Sequence, residues 1–99
     1  MYVVREIMHC KPGKVRPLIE KFKAMSEIMV KLGFPRQRLL TDLSGQPYWT
    51  IISETEVESL DAYLNFDEKA FADAGGAKLM EGYHDLVDHG RREILKLES

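Results

Sequence analysis

Little in this chain points to a secreted, membrane-bound or nucleic-acid-binding protein. Cys10 is the single cysteine in 99 residues, so no internal disulfide can form. No charged–apolar–small leader is visible, and with the lone thiol this leads us to expect a cytoplasmic protein. No apolar run approaches the roughly 18 residues of a membrane span. Lys and Arg number 14 against 16 Asp and Glu, a net charge of −2 with a pI near 5.9. That balance lacks the clustered basic excess of a nucleic-acid binder. A glycine-rich phosphate loop, a nucleotide fingerprint and a Ser-His-Asp arrangement are all missing. Metal-ligand spacing is missing as well. His84 and His89 are off the i,i+4 spacing that puts two ligands on one helix face, and Asp85 and Asp88 complete no known ligand motif. His9 and Cys10 are adjacent, so a strand would point them to opposite faces. No metal and no cofactor are expected.

What is present suits one folded domain spanning residues 1–99. The chain is 44% hydrophobic and 30% charged, too apolar and too balanced in charge for disorder. Residues 2–10 are rich in β-branched and apolar types and stop at Lys11-Pro12-Gly13, the pattern of a strand closed by a breaker. Val15, Leu18, Ile19, Phe22, Met25, Met29 and Leu32 follow at spacings of three and four, one stripe of an amphipathic helix. Gly33 and Pro35 stop it. Arg36–Leu43 reads as a strand, Ser44-Gly45-Gln46-Pro47 as a turn, and Tyr48–Ser53 as the partner strand of a hairpin. Helical spacing resumes over Val57–Leu64, with Glu54, Thr55 and Glu56 supplying cap chemistry. A second helical piece covers Asn65–Phe71. Ala74-Gly75-Gly76-Ala77 reads as a loop or weak helix, because two glycines cost roughly 2 kcal/mol in a helix interior. Leu79, Met80, Tyr83, Leu86 and Val87 restore the stripe, Gly90 ends it, and Arg91–Leu97 makes a last strand.

The order β-α-β-β-α-β is the ferredoxin-like α+β arrangement, a four-stranded antiparallel sheet with helices on one face. The other sheet face then needs cover. Val3 and Ile7 lie opposite Val4 and Met8, and Tyr48 and Ile52 lie opposite Trp49 and Ile51, so both faces read as apolar. A monomer would expose several hundred Å² of such surface, which is unusual unless it is an interface. A homodimer pairing two sheets into an α/β barrel is expected.

The run Val3-Val4-Arg5-Glu6 followed by Lys11-Pro12-Gly13-Lys14-Val15 resembles the dimeric α/β-barrel superfamily. The late stretch Leu86-Val87-Asp88-His89-Gly90-Arg91-Arg92-Glu93-Ile94-Leu95 resembles the closing segment of its NIPSNAP-like branch. The resemblance implies the fold, the dimer and a kinship with antibiotic-biosynthesis monooxygenases, small cyclases and isomerases. For the haem-degrading branch it implies an Asn on the first strand, a Trp near the end of the third and a His on a late helix. Here Glu6 stands at the first position, Ser53 or Glu54 near the second, and only His84 fits, so haem degradation is not expected.

Cofactor-free chemistry on a phenolic or polyketide-like substrate asks for an apolar pocket, an acid or base, and a donor for a developing oxyanion. Glu6, flanked by Val4 and Met8, is the candidate base, with a carboxyl that desolvation would raise. Alternatively, Glu6 pairs with a strand arginine: Arg5, Arg91 or Arg92. Tyr83 and His84 on the last helix are candidate donors, with His89 beyond them. Tyr48, Trp49 and Arg92 join Val4 and Met8 as candidate ligand-lining residues; Tyr48 and Trp49 read equally as packing. Cys10 reads as a small structural residue. Arg36-Gln37-Arg38 reads as charge guarding an edge strand. The function expected is the binding of a hydrophobic or aromatic small molecule in the barrel cavity. The alternatives are a cofactor-independent monooxygenase or isomerase, and a protein-interaction dimer without catalysis.

Overall fold

Strand alternation divides the first element, β1 (Tyr2–Cys10), between two environments. Val4 and Met8 turn toward the helices, while Val3, Arg5, Ile7 and His9 turn away from them. The computed structural model describes all residues, Met1–Ser99. After β1 come α1 (Val15–Lys31), β2 (Arg38–Thr41), β3 (Thr50–Val57), α2 (Leu60–Ala72), α3 (Ala74–Leu79), α4 (Tyr83–Leu86) and β4 (Val87–Lys96). The sheet order is β2-β3-β1-β4 with every neighbouring pair antiparallel, the ferredoxin-like α+β arrangement with its helices on one face.

α1 buries the expected stripe, Leu18, Ile19, Met25 and Met29, against the sheet. It stops at Gly33, whose φ of +90° only glycine adopts freely. The core falls into two clusters. One joins Val4, Met25, Met29, Val57, Tyr63, Phe66 and Ala70; the other joins Met8, Cys10, Leu18, Ile19, Ile51 and Val87. Each fully buried aliphatic or aromatic side chain contributes roughly 1.5–3 kcal/mol of burial. On β1 the first cluster is reached by Val4 and the second by Met8, so Glu6 stands at the seam between them.

Several boundaries differ from the sequence expectation. β3 begins at Thr50 rather than Tyr48 and continues to Val57. Trp49 sits at φ +66°, outside strand geometry, and the Asp42 side chain accepts the Thr50 N–H at 2.8 Å, pinning the strand's start. Glu54, Thr55 and Glu56 therefore extend β3 instead of capping a helix. α2 is one continuous helix starting after Ser59, whose side chain accepts the Ala62 N–H at 3.0 Å. Residues 74–79 are helical despite both glycines, with Asp73 accepting the Gly76 N–H at 2.9 Å. The last helix is only Tyr83–Leu86, and Val87 already belongs to β4. Gly90, expected to end a helix, lies inside β4 opposite Met8, where a β-carbon would come 2.8 Å from the Ile7 carbonyl oxygen.

The sheet's open face also differs. Ile51 and Ile52 take opposite faces as the alternation predicts, with Ile51 toward the helices, but Tyr48 and Trp49 leave the strand and do not extend an apolar surface. The open face instead centres on an ion network. Arg5 Nη2 lies 2.8 Å from Glu54 and Arg5 Nη1 lies 3.3 Å from Glu93, while Arg38 donates to Glu54 at 2.5 Å. Apolar residues flank it, among them buried Ile7 beside Ile52. No helix is long and apolar enough to cross a membrane.

Candidate functional site

The seam at Glu6 opens into a cavity of about 340 Å³ between the sheet and the helices. This volume falls in the range of ordinary small-molecule sites. It lies within one chain, between the sheet and α1, α2 and α4, with Met80 from the segment joining α3 to α4. Val4, Glu6, Met8, Tyr83, His84 and Arg92 all line it, so six of the side chains singled out in the sequence converge. Tyr48 and Trp49 do not. They border a separate shallow hollow beside Gly13 and Arg16, and Tyr48 is 84% exposed.

Each polar member is delivered by a regular element. Glu6 on β1 lies directly opposite Arg92 on β4, and the Arg92 Nε donates to Glu6 Oε1 at 3.0 Å. Its Nη2 approaches the same oxygen at 3.0 Å. From the helix side, Tyr63 on α2 donates its hydroxyl to Oε1 at 2.5 Å. The guanidinium of Arg92 lies over the Tyr63 ring at 5.2 Å, which closes a triangle of three side chains. Every one of these contacts falls on Oε1, leaving Oε2 without a protein partner. Glu6 thus pairs with Arg92, one of the three arginines the sequence offered.

Electrostatics follow from burial and from Glu6. Burial, reinforced by the hydrogen bond to Glu6, pushes the Tyr63 hydroxyl far above the usual phenol range, so it stays a donor. Tyr83, without a hydrogen-bond partner, is also raised, first by burial and then by the Glu6 charge. Asp67, one helical turn beyond Tyr63, is raised by burial and by Glu6. Burial pulls the Arg92 guanidinium down, but Glu6 and Tyr63 outweigh it and the net shift is upward. His84 stands at the exposed rim, its ring edge-on to Tyr83 at 5.3 Å.

The rest of the lining is apolar: Phe22, Met25, Phe66, Phe71 and Met80. Sequence reasoning passed over Tyr63 and Asp67. The available signal was the position of Tyr63 on a buried stripe with Phe66 and Ala70, where a hydroxyl needs a partner. Gln37, read as part of an edge guard, lines the cavity, and only Arg38 of that trio belongs to β2. Cys10 is buried on the helix side, its thiol raised by burial first and by Asp42 second. His89 lies beyond α4, on β4. No group of three or more His, Cys, Asp or Glu side chains is placed to hold a metal ion.

No family model and no curated protein matches the chain. Solved structures do. A NIPSNAP domain protein of Burkholderia xenovorans superposes with a TM-score of 0.82 at 15% identity, over 100% of this chain and 96% of its own. A NIPSNAP family protein of Agrobacterium tumefaciens gives 0.82 at 18% identity, over 98% of this chain and 85% of its own. An antibiotic biosynthesis monooxygenase gives 0.74 at 13% identity, over the whole of both chains. At such identities the likeness speaks for architecture alone, and the chain carries the ferredoxin-like fold found in NIPSNAP family proteins and antibiotic biosynthesis monooxygenases.

Proposed function

We propose that the cavity binds a hydrophobic or aromatic small molecule bearing an acidic O–H or C–H, and that Glu6 accepts this proton through Oε2. The observation that carries this reading is the one-sided anchoring of Glu6. Tyr63 and Arg92 both hold Oε1, Oε2 has no protein partner, and Glu6 lines the cavity. A base oriented in this way gains rate from placement before any substrate arrives. Tyr83, a lining residue whose hydroxyl has no partner, serves as donor to the oxygen on which charge develops. Proton abstraction next to such a donor is the step shared by isomerisation and by cofactor-independent oxygenation of phenolic substrates, and those are the activities we assign as candidates. No cofactor enters this step.

The molecule works as a homodimer in this proposal. Its extents of 35 × 34 × 18 Å are those of a slab with helices on one side only. A second sheet packed on the open face would supply the missing layer. The Arg5, Glu54, Arg38 and Glu93 array carries both signs and suits pairing with its own copy. A buried, unpaired Cys10 is compatible with the cytoplasm.

2-Naphthol, a flat phenol small enough for the cavity, tests the site by fluorescence titration. Saturable binding is expected for the parent protein, with affinity at least about tenfold weaker in Glu6→Gln, the loss of one charge-assisted hydrogen bond. Equal affinity in the two proteins would reduce the cavity to a passive apolar pocket.

A further inference from the structure

We infer that His9 and His89 together form a binding site for a divalent transition-metal ion such as Zn²⁺ or Cu²⁺ on the open face of the sheet. The two residues are register partners across β1 and β4, and their rings lie 4.7 Å apart between centroids, tilted by 37°. Their proton positions follow from their neighbours. Thr50 Oγ1 lies 2.7 Å from the Pro47 carbonyl oxygen, which can only accept, so the single hydroxyl proton is committed there. His9 Nδ1 lies 3.0 Å from the same Oγ1 and must therefore be the donor in that pair. Its remaining nitrogen, Nε2, is left as a bare lone pair.

His89 repeats the arrangement. Its Nδ1 lies 3.2 Å from Asp88 Oδ2, and the carboxylate accepts the N–H. Again Nε2 is left as the ligand atom. Imidazoles with one nitrogen anchored to an oxygen and the other free are the usual form of metal-bound histidine, because the anchor fixes tautomer and ring orientation. Paired imidazoles suit Zn²⁺, Cu²⁺ and Ni²⁺. Cys10 points to the helix side and contributes nothing, so water completes the coordination shell around exposed His89. Both ligands come from one chain, with His89 on the edge strand β4 and the pair four register positions from the Arg5–Glu93 pair about which a second sheet would centre. Arg91, whose charge reaches His9, opposes the cation.

Calorimetric titration of the tag-free, chelator-stripped full chain with ZnCl₂ at about pH 7.5 tests the site. Saturable binding is expected. His89→Ala should weaken it at least about tenfold, and Asp88→Asn should weaken it in the same direction by loosening the anchor. Arg91→Gln should tighten it, which a merely unfolded variant cannot mimic. All three positions are exposed on β4, so the fold is expected to survive each change. Absence of binding in the parent chain, or parent-like affinity in His89→Ala, would overturn the assignment.

Discussion

Glu54 shows how a single side chain on this sheet is worth more than its type suggests. Its side chain is only 10% exposed, and burial alone would raise its pKa, but the Arg5 and Arg38 guanidiniums outweigh that and hold it below the ordinary value of 4.5. A depressed folded-state value means that the stabilisation is complete above the unfolded value and fades as pH falls through the folded one. Thermal melts of the parent and Glu54→Gln should therefore differ most at about pH 7, and the gap should narrow as pH falls below the ordinary carboxylate range and through the depressed folded-state value. A constant gap at all pH values would assign the effect to packing. Legibility at this scale was uneven. The pairing of Glu6 with Arg92 was available from sequence as one of three choices, since charge of opposite sign on neighbouring strands has few outlets. Tyr63 was hidden because an aromatic on a helical stripe satisfies the packing pattern by itself, and its hydroxyl partner lies on β1, 57 positions away in the chain.

Elements were legible where local chemistry decides them. β1 with its Pro-Gly stop and α1 with its apolar stripe and Gly33 follow rules that act within a few residues. The start of α2 was misplaced because Glu54, Thr55 and Glu56 resemble cap chemistry, whereas Arg5 and Arg38 draw Glu54 into β3. Ser59 performs the capping, and Ser59→Ala is expected to lower stability by about 1 kcal/mol, read as a shift in the denaturant midpoint without a change in slope. An unchanged midpoint would make that hydrogen bond irrelevant. In α3 one of the two glycines that argued against a helix, Gly76, is what lets it pack. A β-carbon at Gly76 would come 2.3 Å from the Ala70 carbonyl oxygen, so the turn can fold back on α2 only with glycine there. Lys21 on α1 then donates to the Leu79 carbonyl at 3.0 Å and ties α3 to the first helix.

For the whole molecule, the β-α-β-β-α-β order was readable because it depends on element types and their sequence, both robust to errors of a few residues at each boundary. The cavity was not readable, because it arises where two core clusters fail to meet and Glu6 fills the seam. The expectation that both sheet faces are apolar drew on β1 and Ile51 and Ile52 and also on Tyr48 and Trp49, and the left-handed turn at Trp49 removes the last two from the strand. What the fold then offers is one apolar chamber with an anchored carboxylate at its floor. Methionine methyls report on that chamber directly, since Met8, Met25 and Met80 line it while Met1 and Met29 do not. With ¹³C-methyl methionine labelling, 2-naphthol should shift the resonances of Met8, Met25 and Met80 in a saturable manner and leave Met1 and Met29 in place. Shifts confined to Met1, or none at the three lining methyls, would contradict the assignment of this cavity as the ligand site.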